Sequence, residues 1–197
     1  DAVVCNAGSG VAGPIEECSS DEIAFQMGTT FMGTVNTIKA CMPVFRAQKQ
    51  GRIITVSSVA AVAPLPFQGY YSCAKASILQ LTKALAIEAG PFGVQTCCIL
   101  PGDVKTGFTG ARRVCEITST EASPYHDACR QAVQCMADDE QVEGMEPEVI
   151  ARAVARQLTL RRMRPEVVPS LKYKLLVCLI RLLPERLVLR VIGWMYR

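Results

Sequence analysis

Residues Ser58 to Lys75 read SVAAVAPLPFQGYYSCAK, and the fold is read outward from this stretch. Tyr71 and Lys75 are four residues apart, so on a helix they project from one face. A nearby ammonium favours the phenolate, which predicts a Tyr71 pKa below the usual value of about 10. Ser58 lies across a Pro-containing loop from that helix, at the end of the apolar run Arg52 to Val56, RIITV. This run is short and β-branched, which predicts a parallel strand carrying Ser57 and Ser58 at its carboxyl end. Ser58, Tyr71 and Lys75 are thereby expected to converge on one substrate oxygen.

Two further apolar runs read as buried parallel strands, Ala2 to Cys5 and Val94 to Leu100. Ligands of open α/β sheets bind beyond the carboxyl ends of such strands, which is where Asn6, Ser58 and Pro101 fall. Ser19-x-x-Glu22 is a capping box, so a helix should start near Ser20 and run to about Gln48, with a break near Gly28. The helix carrying Tyr71 and Lys75 should continue until Gly90-Pro91 stops it.

These pieces together resemble the short-chain dehydrogenase/reductase family. The matching residues are Ser58 thirteen positions before Tyr71-x-x-x-Lys75, the DAVVCNAG opening with its Asn6-Ala7-Gly8 turn, and Pro101-Gly102 followed by Thr106. The resemblance covers residues 1 to about 110 and implies a Rossmann-like, doubly wound parallel sheet in three layers. It further implies Ser58, Tyr71 and Lys75 as catalytic residues. The family's fourth catalytic position, an Asn, is Thr30 here, which leaves its proton relay open. By the same resemblance Asn6, Ala7, Gly8, Tyr71, Lys75, Pro101, Gly102, Val104 and Thr106 would hold a nicotinamide cofactor, NADP or NAD. The expected reaction interconverts a carbonyl and an alcohol, and the expected intact enzyme is a cytoplasmic homo-oligomer. No Gly-rich dinucleotide turn follows a strand, so the sheet is expected to lack its first strands and the chain to be a fragment. An inactive fragment is therefore the alternative expectation.

Half of the residues are hydrophobic and the net charge is only +3, without a basic stripe interleaved with aromatics, so nucleic acid is not an expected partner. Ten cysteines occur, yet there is no Cys-x-x-Cys pair and His126 is the single histidine; no metal site is expected and the thiols are expected free and mostly buried. Beyond Pro101, residues 106–120 read as a mobile polar loop, and a helix is expected from Pro124 to about Asp138, ending in a solvated acidic patch at Asp138-Asp139-Glu140. Pro147 should open a further helix. No role falls to His126.

Residues 1–170 are read as one domain and residues 171–197 as two basic amphipathic helices packed on it, interrupted at Pro184. Lys172, Lys174, Arg181, Arg186, Arg190 and Arg197 stud this apolar tail, and Trp194 and Tyr196 end it. Such helices can cover a hydrophobic substrate entrance or lie in a membrane interface, so peripheral membrane contact is a second expectation. The tail also resembles that of steroid- and retinol-type family members, which implies a lipophilic substrate.

Overall fold

A computed structural model describes residues 1–196; Arg197 lies outside the described residues. β1 (Ala2–Cys5), β3 (Gly51–Val56), β4 (Val94–Ile99) and β6 (Glu166–Val167) form a parallel sheet in the order β1-β3-β4-β6. β2 (Val11–Ala12) and β5 (Arg113–Val114) make a second parallel pair. α1 (Ser20–Met27), α2 (Gly33–Gln48) and α3 (Gly69–Ala89) belong to the first half of the chain. α4 (His126–Glu143), α5 (Pro147–Thr159), α6 (Leu171–Leu182) and α7 (Glu185–Met195) belong to the second.

Strand alternation builds the three layers. Ile53 packs with Ile38, Phe45 and Leu85 of α2 and α3 on one face. Its neighbour Ile54 packs with Cys97, Ile99 and Met163 on the other, beneath Ile150, Val154 and Leu158 of α5. The polar positions on the α3 side are paired: the Thr55 and Thr82 hydroxyls meet at 2.7 Å, and Thr96 donates to the Thr82 carbonyl at 3.2 Å. Arg52 ties the opposite layer, its guanidinium donating to the Gln157 and Leu160 carbonyls at 2.8 and 2.7 Å at the end of α5. Gly93, with φ of +75°, makes the left-handed turn into β4 that a side chain would strain.

The capping box holds: Ser19 accepts from the Glu22 backbone at 3.3 Å and its own N–H donates to the Glu22 carboxylate at 2.7 Å. The expected break follows α1 as a wide helical turn over Gly28–Met32. β1 is a less buried strand than its sequence suggests; it pairs only with β3, and Val4 is 40% exposed while Cys5 alone is buried.

The second half departs further from expectation. α4 runs past Asp138 to Glu143, so the acidic patch lies inside a helix, with Glu140 turned toward Arg112 rather than capping a solvated end. Residues 106–120, expected as a polar loop, are largely turns and irregular chain and carry β5 and a short turn at Ile117–Ser119. β6 had no signal, being two residues long between Pro165 and Pro169. The cysteines are not all free: Cys18 and Cys115 form a disulfide between the loop before α1 and the end of β5. Of the remaining eight, Cys73 and Cys178 are exposed, Cys41 and Cys135 are partly buried, and the other four are buried.

Candidate active site

β3 ends at Val56, and the chain then turns under two constraints. The Ser57 N–H donates to the Ile99 carbonyl at 2.8 Å and the Val59 N–H to the Pro101 carbonyl at 2.8 Å, which locks the ends of β3 and β4 together. The Ser57 hydroxyl donates to the Lys75 carbonyl at 2.7 Å and fixes α3 against β3. Ser58 thereby stands at the mouth of the sheet, its hydroxyl accepting the Ala60 N–H at 3.1 Å. Farther along this loop, Ser72 accepts the Leu65 N–H at 3.2 Å, so the first turn of α3 holds the Pro-containing segment. Phe67, just before α3, takes a left-handed φ of 57°. Its carbonyl accepts the Gly13 N–H at 2.7 Å and its ring lies edge-on to Tyr125, contacts that hold the strained turn in place.

Ser58, Tyr71 and Lys75 line one cavity of about 1170 Å³ at the carboxyl ends of β1, β3 and β4. Asn6, Ala7, Gly8, Pro101, Gly102, Val104 and Thr106 line it too. Thr30 does not. It is fully buried in the turn before α2, where its hydroxyl accepts the Ser9 N–H at 3.3 Å and the Gln26 side-chain amide at 2.9 Å. Gln26 completes the clamp by accepting the Val11 N–H at 2.7 Å and donating to the Ser9 carbonyl at 2.9 Å. Thr30 is therefore neither a solvated nor a helix-capping residue; it buttresses the loop after β1.

The electrostatics reverse one sequence expectation. Burial pushes the Tyr71 phenol up to about 12, against the pull of the Ser58 hydroxyl and the Arg112 charge. Lys75 is not among the groups that lower it: its ammonium lies 5.6 Å from the Tyr71 ring centre and donates to the Val56 carbonyl at 2.9 Å. Burial also pulls Lys75 itself down to about 8. Desolvation, which disfavours either charged form, thus outweighs the attraction between them. At neutral pH the site holds a neutral phenol beside a mostly protonated amine.

Several cavity residues carry no pattern in the sequence. Arg112 is nearly buried beside Gly10 and Phe108 and pairs with Glu140 at 3.0 Å, while its Nε and Nη1 have no acceptor. Glu140 is itself raised, chiefly by burial, and only partly offset by Arg112. The Phe108 ring lies 5.7 Å from that of Tyr71. Tyr173 of α6 lies flat against Gly102, where a Cβ would fall within its ring, and its hydroxyl donates to the Asp103 carboxylate. An arginine in a Gly-containing loop is a weak hint of function, but nothing local points it at a carboxylate 28 residues away. Among the described residues no cluster of histidine, cysteine and carboxylate side chains has the makings of a metal site.

A parallel, doubly wound sheet with its cavity beyond the strand ends defines the Rossmann class of α/β proteins. Residues 1–116 match the model of the short chain dehydrogenase family, and the chain belongs to that family. It is 35% identical over 156 residues to a 3-ketodihydrosphingosine reductase of Bacteroides thetaiotaomicron, covering 79% of this chain and 57% of that protein. It is also 35% identical over 108 residues to the human 17-beta-hydroxysteroid dehydrogenase type 1, covering 55% of this chain and 33% of that one. The fold matches the crystal structure of a short chain dehydrogenase/reductase from Burkholderia phymatum in complex with NAD, with a TM-score of 0.78 and 22% identity over 96% of this chain and 66% of that one. The chain thus spans little more than half the length of the first of these relatives.

Proposed function

We propose that this chain carries the catalytic half of an NAD(P)-dependent oxidoreductase that interconverts a carbonyl and an alcohol on a lipophilic substrate, with Tyr71 as general acid and base. The observation that carries this reading is the single cavity in which Ser58, Tyr71 and Lys75 face apolar walls from α5, α6 and α7, among them Ile150, Val154, Ile180 and Val188. The names of the two relatives, one acting on a ketodihydrosphingosine and one on a hydroxysteroid, support an apolar substrate.

The residues fit a nicotinamide cofactor. Gly8 leaves open the space beside the Lys75 ammonium, 3.6 Å from where a Cβ would stand. That ammonium has three donors and one protein acceptor, the Val56 carbonyl, so it can hold ribose hydroxyls. Asn6, Ala7, Gly8, Pro101, Gly102, Val104 and Thr106 would surround the nicotinamide end. When bound, the reduced cofactor supplies a hydride to the carbonyl carbon. Ser58 holds the carbonyl oxygen by donating its hydroxyl proton in a hydrogen bond. Tyr71 delivers a proton to that oxygen, and its raised pKa keeps the phenol protonated for this step. In the reverse direction the same phenolate takes the alcohol proton.

Tyr71→Phe should lower turnover of a long-chain ketone with NADH or NADPH by about 10²- to 10⁴-fold. Affinity for the dinucleotide, read by fluorescence titration, should stay unchanged. Near-normal turnover by this variant would overturn the assignment. The exposed edge of β1 favours a second reading, in which cofactor binding requires a further segment of polypeptide alongside that strand. Failure of both NADH and NADPH to bind the 197-residue chain would select it.

A further inference from the structure

The cavity opens through an unusual wall. Ten of the nineteen exposed large apolar side chains among the described residues fall within α6 and α7, short helices of 12 and 11 residues. Leu182 and Trp194 are each 77% exposed, and Leu171 is 71% exposed. Leu176, Leu179, Val191 and Met195 are exposed and also line the cavity, so its mouth and the outer apolar patch are continuous. A contiguous patch of this kind marks a contact surface.

Charge selects the occupant. Residues 171–196 hold Lys172, Lys174, Arg181, Arg186 and Arg190 against the single acid Glu185. Lys172 and Arg181 are engaged by Glu143 and Glu166, but Lys174, Arg186 and Arg190 form no ion pair among the described residues. Arg186, Arg190 and Trp194 follow one another at intervals of four along α7 and therefore share a stripe. A second copy docked on this patch about a two-fold axis would set basic residues against basic residues. An anionic lipid surface complements them, while acyl chains accept the leucines and the headgroup zone accepts a tryptophan. No helix of the described residues is long and apolar enough to cross a membrane, which leaves the in-plane arrangement.

We propose that α6 and α7 seat the chain on an anionic bilayer surface, with Trp194 at headgroup depth and the cavity mouth turned toward the acyl chains. Delivery of a lipophilic substrate from that surface rests on the reductase reading; the seating itself does not.

Trp194 is the only tryptophan, so its emission reports this contact alone. The 197-residue chain is titrated with vesicles of pure phosphatidylcholine and with vesicles also containing phosphatidylserine, and binding is read by emission and co-sedimentation. The expected result is a blue shift and co-sedimentation with the anionic vesicles, both weakened by salt. Arg186→Glu with Arg190→Glu should reduce vesicle affinity on the order of tenfold or more while leaving the circular dichroism unchanged. Absence of both signals with both vesicles overturns the proposal. So does a blue shift that grows with protein concentration without lipid, which would mean a second copy covers the patch. Tyr71→Phe should bind vesicles like the parent chain, so failure of the catalytic reading and failure of the seating remain separable.

Discussion

The cavity floor is made of strand ends and the first turns of α3, whereas its cover is a loop and four helices drawn from the second half of the chain. The floor is held by backbone hydrogen bonds between neighbouring strands, as Ser57 to Ile99 and Val59 to Pro101 illustrate. The cover is held by contacts between residues far apart in sequence. The Cys18–Cys115 bond closes a separation of 97 residues, the Glu17 carboxylate accepts the Thr118 and Ser123 hydroxyls at 2.7 Å, and Arg113 lies 3.8 Å over the Phe25 ring. Chemistry common to a family can stay on a rigid floor, while a cover tied down by individual side chains is free to vary with the substrate.

The largest of these ties is the disulfide. Chain-entropy arguments place the effect of closing a loop of this length at about 4.7 kcal/mol. Unfolding the chain without reductant should expose eight reactive thiols, and ten after reduction. Reduction should lower the thermal midpoint and loosen residues 106–123 in hydrogen exchange, with the floor strands last to exchange. Ten thiols before reduction would break the contrast, leaving the β2–β5 pair and the Glu17 and Glu22 contacts to hold the cover alone.

The Arg112–Glu140 pair sharpens it. Arg112 is 3% exposed and Glu140 15% exposed, so each depends on the other for charge compensation. Removing one partner of such a pair typically costs about 3 kcal/mol. Glu140→Leu should be the costlier change, because it leaves a guanidinium whose Nε and Nη1 already lack acceptors. Arg112→Met, which removes that guanidinium, should cost less in urea denaturation. The opposite order would mean that the guanidinium is better satisfied than the described contacts indicate.

The same division sets what could be read from the sequence. Tyr71 and Lys75 were legible because a spacing of four has one meaning on a helix, and Ser58 because it follows a β-branched run. The capping box at Ser19 located α1 for the same local reason. β2, β5 and β6 are two residues long and carry no periodicity, so their pairings leave no trace. Tyr173 on Gly102 and Arg112 against Glu140 are tertiary meetings that spacing does not encode. Nor is burial itself legible, and burial is what turned the expected fall in the Tyr71 pKa into a rise.

The smallest effect tests the floor through that burial. Lys75 stands at about 8 in the folded chain against 10.5 for a free side chain. Above pH 8 the native state therefore sheds a proton that the unfolded chain retains, and stability rises with pH wherever the unfolded state binds more protons. Cys5 and Cys97 act in the opposite sense, raised from 9.0 to about 11 and about 12, so above pH 9 the unfolded chain loses thiol protons first and stability falls. Together they predict a shallow maximum near pH 9: Lys75 alone adds about 1 kcal/mol between pH 8 and 9, and the two thiols cut the net rise to about 0.3 kcal/mol. Lys75→Met should flatten the rise and keep the fall, whereas Arg112→Met in the cover should leave both limbs in place. A rise that survives Lys75→Met would place its origin elsewhere and remove the argument that desolvation governs the floor.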